Sequence, residues 1–110
     1  MTDKRVYELH AEVCKTMSNP KRLEIINLLR NGEMSVEELA SNMEIRTANL
    51  SQHLAVMRAK RIVETRRDGL KIYYRIANPK VVKACDIMRE VLMEQLAEGQ
   101  KFAEKVKNKR

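Results

Sequence analysis

Ala48, Ser51, Gln52, Ala55 and Ala59 share one face of a helix that the sequence predicts from about Thr47 to Ala59. Leu50, Leu54 and Met57 lie opposite, at the i, i+4, i+7 spacing of a stripe packed on a core. The outer face is bare or short and polar, although long Lys and Glu side chains crowd the rest of the chain. A helix trimmed in this way can lie close against a surface, and an α-helix fits the major groove of duplex DNA. Gln can pair with adenine in bidentate fashion, and an Ala methyl suits the thymine methyl. Thr47, Ala48, Asn49, Ser51 and Gln52 are therefore the candidates to face base edges, with Arg58 on the helix flank in reach of phosphate. A plain amphipathic core helix would need only its three apolar residues and gives no reason for the trimmed face. His53 lies nearer the buried edge and reads as a packing or phosphate-contacting residue.

The charge supports a polyanionic partner. The 110 residues carry a net charge of +7, with 34% of side chains charged. Between Arg58 and Arg75 there are seven basic side chains and two acidic ones, a local excess of five. Arg66, Arg67 and Lys71 surround Asp68-Gly69, a strong hairpin signal. A basic hairpin directly after a surface-reading helix would sit beside the DNA backbone or in the minor groove. Tyr73 and Tyr74 point to opposite faces of the return strand, one toward the helices and one toward the backbone of a ligand.

A second chemistry is open to Cys14, Cys85 and His10. His10 lies one helical turn before Cys14, so the two share a face. Two thiols and an imidazole could bind a soft metal or metalloid, two thiols could form a redox pair, and two small buried hydrophobes would look the same. Two Cys far apart in sequence suit a reducing cytosol better than a disulfide framework. No signal peptide or membrane-spanning run is expected, so the chain is placed in the cytoplasm. Two His, three Gly and scattered carboxylates make neither an enzyme constellation nor a phosphate-cradling loop, and no enzyme activity is expected.

These side chains need a scaffold. A first helix from about Lys4 to Met17 repeats Val6, Leu9, Val13 and Met17 at three- and four-residue steps. Ser18-Asn19-Pro20 stops it and caps the next, which carries Leu23, Ile26 and Leu29 and ends at Asn31-Gly32, with Gly as the left-handed residue. Ser35-Val36-Glu37-Glu38 is a capping box for a third helix that buries Val36, Leu39, Ala40 and Met43. Glu44-Ile45-Arg46 turns into the fourth. Ile62-Val63 and Lys71 to Ile76 read as strands. Asn78-Pro79 opens a long last helix, where Val81, Cys85, Met88 and Leu92 follow the four-three-four spacing of a seam for another helix. Gly99 is expected to end it. The fold class is thus mainly α with a small β-hairpin: a winged helix-turn-helix of four helices, a two-stranded wing and a long C-terminal helix. One domain spans residues 1–98, and a basic, frayed tail spans 99–110.

The segments Ser18-Asn19-Pro20-Lys21-Arg22-Leu23-Glu24-Ile25-Ile26, Glu38-Leu39-Ala40, Leu50-Ser51-Gln52-His53-Leu54 and Asp68-Gly69 to Tyr73-Tyr74-Arg75-Ile76 resemble the ArsR/SmtB family of winged-helix repressors. The resemblance runs from about Val6 to Leu96 and rests on the order and spacing of all four segments. It implies a homodimer joined through the first and last helices, an inverted-repeat operator, and an effector that changes DNA affinity. It also places Cys14 and Cys85 on the two interface helices. The thiolate positions of the family's arsenic and cadmium motif match Ser35 and Glu37. The Asp, His, His and Glu positions of the zinc-type site match Asn78, Lys80, Val91 and Glu94, of which only Glu94 could bind. No cofactor is implied by these familiar metal sites; a thiol oxidant, reactive sulfur, a metal or a metalloid stays open as effector. The competing class is a winged helix used as a protein-interaction module without regulated DNA binding.

Overall fold

In the computed structural model, residues 3–108 are described. Helix α1 (Lys4–Met17) is followed by α2 (Pro20–Leu28), a 3₁₀ turn (Leu29–Asn31), strand β1 (Met34–Ser35), α3 (Val36–Met43), α4 (Thr47–Ala59), the hairpin β2 (Val63–Asp68) and β3 (Lys71–Ile76), and α5 (Lys80–Asn108). Local signals set most of these boundaries. The Asn19 side chain accepts from the amides of Lys21 and Arg22, at 2.9 and 3.3 Å, with Pro20 at the first helical position. Ser35 and Glu38 form a reciprocal capping box, Ser35 Oγ accepting from the Glu38 amide at 3.1 Å.

One core lies between α2, α3, α4 and the base of the wing. It contains Ile25, Ile26, Leu29, Leu39, Ala40, Met43, Leu50, Leu54, Met57, Ile62 and Val63. Fully burying one such aliphatic side chain stabilises the fold by about 1.5–3 kcal/mol. Val81, Val82 and Cys85 pack this core from the first turns of α5, and Tyr74 packs it from the sheet. Helix α1 contributes little: among its residues only Thr16 is buried. Its apolar stripe of Val6, Leu9 and Val13 faces outward, as do Ile87, Met88, Val91, Leu92 and Leu96 of α5. The radius of gyration is 18.0 Å, against about 13 Å for a compact domain of this size, because α5 is 29 residues long.

Five expectations are corrected. The sheet has three strands rather than two: Met34 and Ser35 pair antiparallel with Tyr74 and Tyr73, giving the order β1-β3-β2. Leu23 is 37% exposed while Ile25 is fully buried, so the inner face of α2 is rotated toward Ile25. Val36 is only half-buried. Gly32 has φ 149° and ψ −180°; it terminates the 3₁₀ turn in a glycine-favoured extended conformation rather than the left-handed helical one. Helix α5 does not stop at Gly99 but runs to Asn108. A mid-helix Gly costs about 1 kcal/mol relative to Ala, and the helix formers on both sides of Gly99 carry the helix through it. Lys109 and Arg110, the end of the expected tail, lie outside the described residues.

Candidate nucleic-acid interface

Helix α4 is anchored by Leu50, Leu54 and Met57, each with no measurable exposure. This fixes its rotation and turns Thr47, Ala48, Asn49, Ser51, Gln52, Ala55 and Ala59 to solvent. Thr47, Asn49, Ser51 and Gln52 make no side-chain hydrogen bond among the described residues, so their donors and acceptors stay available. The helix begins at Arg46, whose side chain does not cap it. The turn from α3 closes through the Ile45 amide on Ala40 O at 3.2 Å, with Glu44 left-handed at φ 54°.

One flank of α4 is tied to α1 and α2. Arg22 Nε donates to His53 Nδ1 at 3.1 Å, and Arg22 Nη1 donates to the Thr16 carbonyl at the end of α1 at 3.0 Å. Burial, then the nearby Arg22 and Lys21 charges, push the His53 imidazole below its ordinary pKa. The shift favours the neutral imidazole, the form that can accept at Nδ1. Lys60, at the end of α4, reaches Glu12 of α1 at 2.9 Å. Arg58, on the other flank, is exposed beside the base of β2.

The wing separates its cations. Arg66 is held by Glu33, with Nη2–Oε1 at 2.6 Å and Nε–Oε2 at 3.1 Å, and its guanidinium lies 4.8 Å over the Tyr73 ring. The hydrogen bond from Arg66 lowers the Glu33 carboxyl pKa. Arg75 pairs with Glu64 at 2.9 Å. Arg67 and Lys71 are exposed and have no acidic partner among the described residues; Arg67 only donates to Gly69 O at 3.4 Å. The two-residue hairpin loop is Gly69-Leu70, since Asp68 and Lys71 pair. Gly69 has φ 61°, which suits glycine at the first central position of a type II′ turn. The Asp68-Gly69 signal thus marked the right hairpin one residue early.

The thiols and the imidazole do not converge within the protomer. Cys14 is exposed, and His10 is exposed on the same helix. Cys85 is half-buried against the core, and burial is the main reason its thiol pKa is raised. No group of three His, Cys, Asp or Glu able to hold a metal occurs among the described residues. The site suggested by His10, Cys14 and Cys85 is therefore not assembled in one protomer, because Cys14 faces outward while Cys85 faces the core.

Sequence reasoning missed Arg22, Glu33 and Glu12, which set the posture of α4 and of Arg66. Their partners lie 31 to 48 residues away, so no local pattern announces them. Among the described residues no helix is long and apolar enough to cross a membrane.

Residues 19–65 match the family described as bacterial regulatory protein, arsR family. The chain is 37% identical over 99 residues to the uncharacterized HTH-type transcriptional regulator Rv0081 of Mycobacterium tuberculosis, covering 89% of this chain and 87% of that protein. The Rv0081 crystal structure matches with a TM-score of 0.78 at 38% identity, over 84% of this chain and 94% of that one. The chain is also 40% identical over 86 residues to the biofilm growth-associated repressor of Agrobacterium fabrum, covering 78% of this chain and 73% of the repressor. The solution structure of the homodimeric winged helix-turn-helix DNA-binding domain of Mb0332 from Mycobacterium bovis, a possible ArsR-family regulator, has a TM-score of 0.78 at 32% identity, over 86% and 88% of the two chains. Relatives this similar, over most of their own length as well as this chain's, match a fold in which α3, α4 and a β-hairpin wing form a winged helix-turn-helix, and the chain belongs to the ArsR family of bacterial transcriptional regulators.

Proposed function

We propose that the chain works as a homodimeric, sequence-specific repressor that binds an inverted repeat in duplex DNA in the cytoplasm and is released by an effector. The observation that carries this reading is the outer face of α4: exposed, short in side chain, hydrogen-bond competent and unengaged, beside wing cations that have no acidic partner among the described residues. Thr47, Ala48, Asn49, Ser51 and Gln52 face base edges, while Arg58, Arg67 and Lys71 contact phosphate. Arg66 joins them only if DNA competes with Glu33 for its guanidinium.

The dimer rests on two supports. Among the described residues, most of the exposed large hydrophobic side chains lie on α1 and α5, and exposed apolar surface of this extent marks an interaction site. The Mb0332 domain, with a TM-score of 0.78, is described as homodimeric. A two-fold would set two α4 helices into major grooves about 34 Å apart. Repression follows the relatives named as repressors. Release by an effector is part of the same proposal, with the exposed Cys14 as the accessible thiol.

Binding of the purified protein to DNA upstream of its own gene tests this reading, with a scrambled duplex as competitor and salt as variable. Tight, salt-dependent, sequence-selective binding supports it. Binding indifferent to salt would assign the chain to protein interaction instead, because only phosphate neutralisation makes affinity track salt. Reduced and oxidised protein, with Cys14→Ser as control, tests whether a thiol oxidant is the effector.

A further inference from the structure

Helix α4 ends in a closure whose key position is occupied by an unfavourable residue. The Arg61 amide donates to Arg58 O at 3.0 Å and the Ile62 amide donates to Met57 O at 2.9 Å. These are the two bonds of a Schellman motif, and Ile62 and Met57 supply its buried hydrophobic contact. The residue between must be left-handed, and Arg61 has φ 58°. Glycine takes that conformation without strain, whereas an L side chain is penalised. Glycine here would complete the fold and remove a charge.

The charge has a place to act. Arg58 and Arg61 line an open groove between the end of α4 and the base of β2, with Val63, Glu64, Thr65 and Ala77. Glu64 is the one acid in that lining, and it is engaged by Arg75 at 2.9 Å. Lys60, next in sequence, is drawn away to Glu12 of α1. Arg58 and Arg61 are exposed and have no ion-pair partner among the described residues. The groove lies between the end of α4 and the base of the wing, on the side of α4 that carries Arg58.

We propose that Arg61, together with Arg58, forms a phosphate-binding groove that takes the DNA backbone between the recognition helix and the wing. The inference rests on the DNA-binding reading above and adds a contact to it. Backbone strain does not single out the site. Glu44 closes α3 in the same way, with φ 54° and the Ile45 amide on Ala40 O, yet it presents a carboxylate. Arg61 is distinguished by the second guanidinium beside it and by an acid already neutralised.

Three substitutions of Arg61 in the full-length protein separate the backbone role from the charge. Arg61→Gly relieves the left-handed strain and deletes the guanidinium; Arg61→Asn tolerates the same backbone without charge; Arg61→Lys keeps the charge. Affinity for the upstream duplex and for a scrambled duplex is measured by fluorescence anisotropy across a salt series. Arg61→Gly and Arg61→Asn are expected to weaken both duplexes alike, and to make the slope of log K against log salt shallower by about 0.9 per protomer. Arg61→Lys keeps the parent slope, and Glu44→Gly does not weaken binding. Arg61→Gly binding with the parent's slope overturns the groove while leaving DNA recognition intact. A parent protein without salt-dependent duplex binding overturns the DNA reading, and the groove with it.

Discussion

Leu92 offers the most direct test of the proposed dimer. It lies on the seam Val81, Cys85, Met88, Leu92 and is 50% exposed in the protomer, while Met88 is 68% exposed. Fully burying a Leu side chain is worth about 1.5–3 kcal/mol, so covering the half still exposed recovers about 0.75–1.5 kcal/mol. An isologous interface uses the same residue twice, which doubles the figure to about 1.5–3 kcal/mol per dimer. Leu92→Ala should therefore raise the dimer dissociation constant by about tenfold to about a hundredfold, and Leu92→Glu by more, since it also brings two carboxylates to the seam. Sedimentation equilibrium over a wide protein range reads this constant directly. Leu70→Glu is the control: Leu70 is 99% exposed at the wing tip and should leave dimerisation unchanged. A Leu92→Glu protein that dimerises as tightly as the parent would show that α5 does not form the two-fold, and the uncovered stripes would need another occupant.

The other expectations concern single contacts. Gln52→Ala should cost about 1–3 kcal/mol at each half-site of the cognate duplex and relax sequence preference; equal loss on scrambled DNA in a binding titration would remove Gln52 from base reading. Arg67→Ala should weaken all duplexes and make the salt slope of a dimer shallower by about 1.8, one phosphate for each of two wings. Arg66→Ala should shift that slope less, because Glu33 already matches its charge; equal shifts would show that DNA displaces Glu33. Ser35→Ala should lower stability by about 1 kcal/mol in urea unfolding through loss of the α3 cap, and an unchanged midpoint would deny the capping box its role. For His53, the folded pKa lies below the ordinary 6.5. As pH falls below about 6.5 the unfolded chain takes up the proton first, so stability is full above that value and declines until the folded imidazole also titrates. His53→Asn keeps an acceptor for Arg22 without a titration, and should flatten this part of the stability profile; a parent and variant with parallel profiles would exclude His53 as the cause.

What the sequence revealed and what it hid divide along the range of the interactions. Helices α1 and α4 fall where apolar spacing puts them, and α2 and α3 begin at their caps, because both signals are local. Leu50, Leu54 and Met57 proved to be the buried stripe for the same reason. Strand β1 left no local trace: two residues become a strand only because β3 offers Met34 and Ser35 a ladder. Arg66 read as a free cation because its neighbours in sequence are basic, yet its partner Glu33 sits just ahead of β1 and is brought close only once β1 joins the sheet. Leu23 and Ile25 are two apolar residues on a short helix, and only the packing of α3 and α4 decides that Ile25 turns inward. Gly99 shows a different limit. A glycine marks a helix end only when the chain beyond it cannot continue the helix, and the residues after Gly99 can.

The contacts around α4 connect the two halves of the proposed function. Its reading face has a fixed rotation because Leu50, Leu54 and Met57 are sealed in the core, but its lateral position depends on its flanks. On one flank Arg22 joins His53 to the Thr16 carbonyl, and Lys60 joins Glu12. Thr16 and Glu12 both belong to α1, the helix with a single buried residue and an outward apolar stripe. The exposed Lys60–Glu12 pair contributes little by itself, whereas the partly buried Arg22 bridge constrains two elements through one side chain. Helix α1 is thus tied to α4 by side chains, through Arg22 of α2 and through Lys60, while Thr16 and Met17 pack it onto the core. A dimer built on α1 and α5 would fix the distance between its two reading faces through these ties and through the shared core.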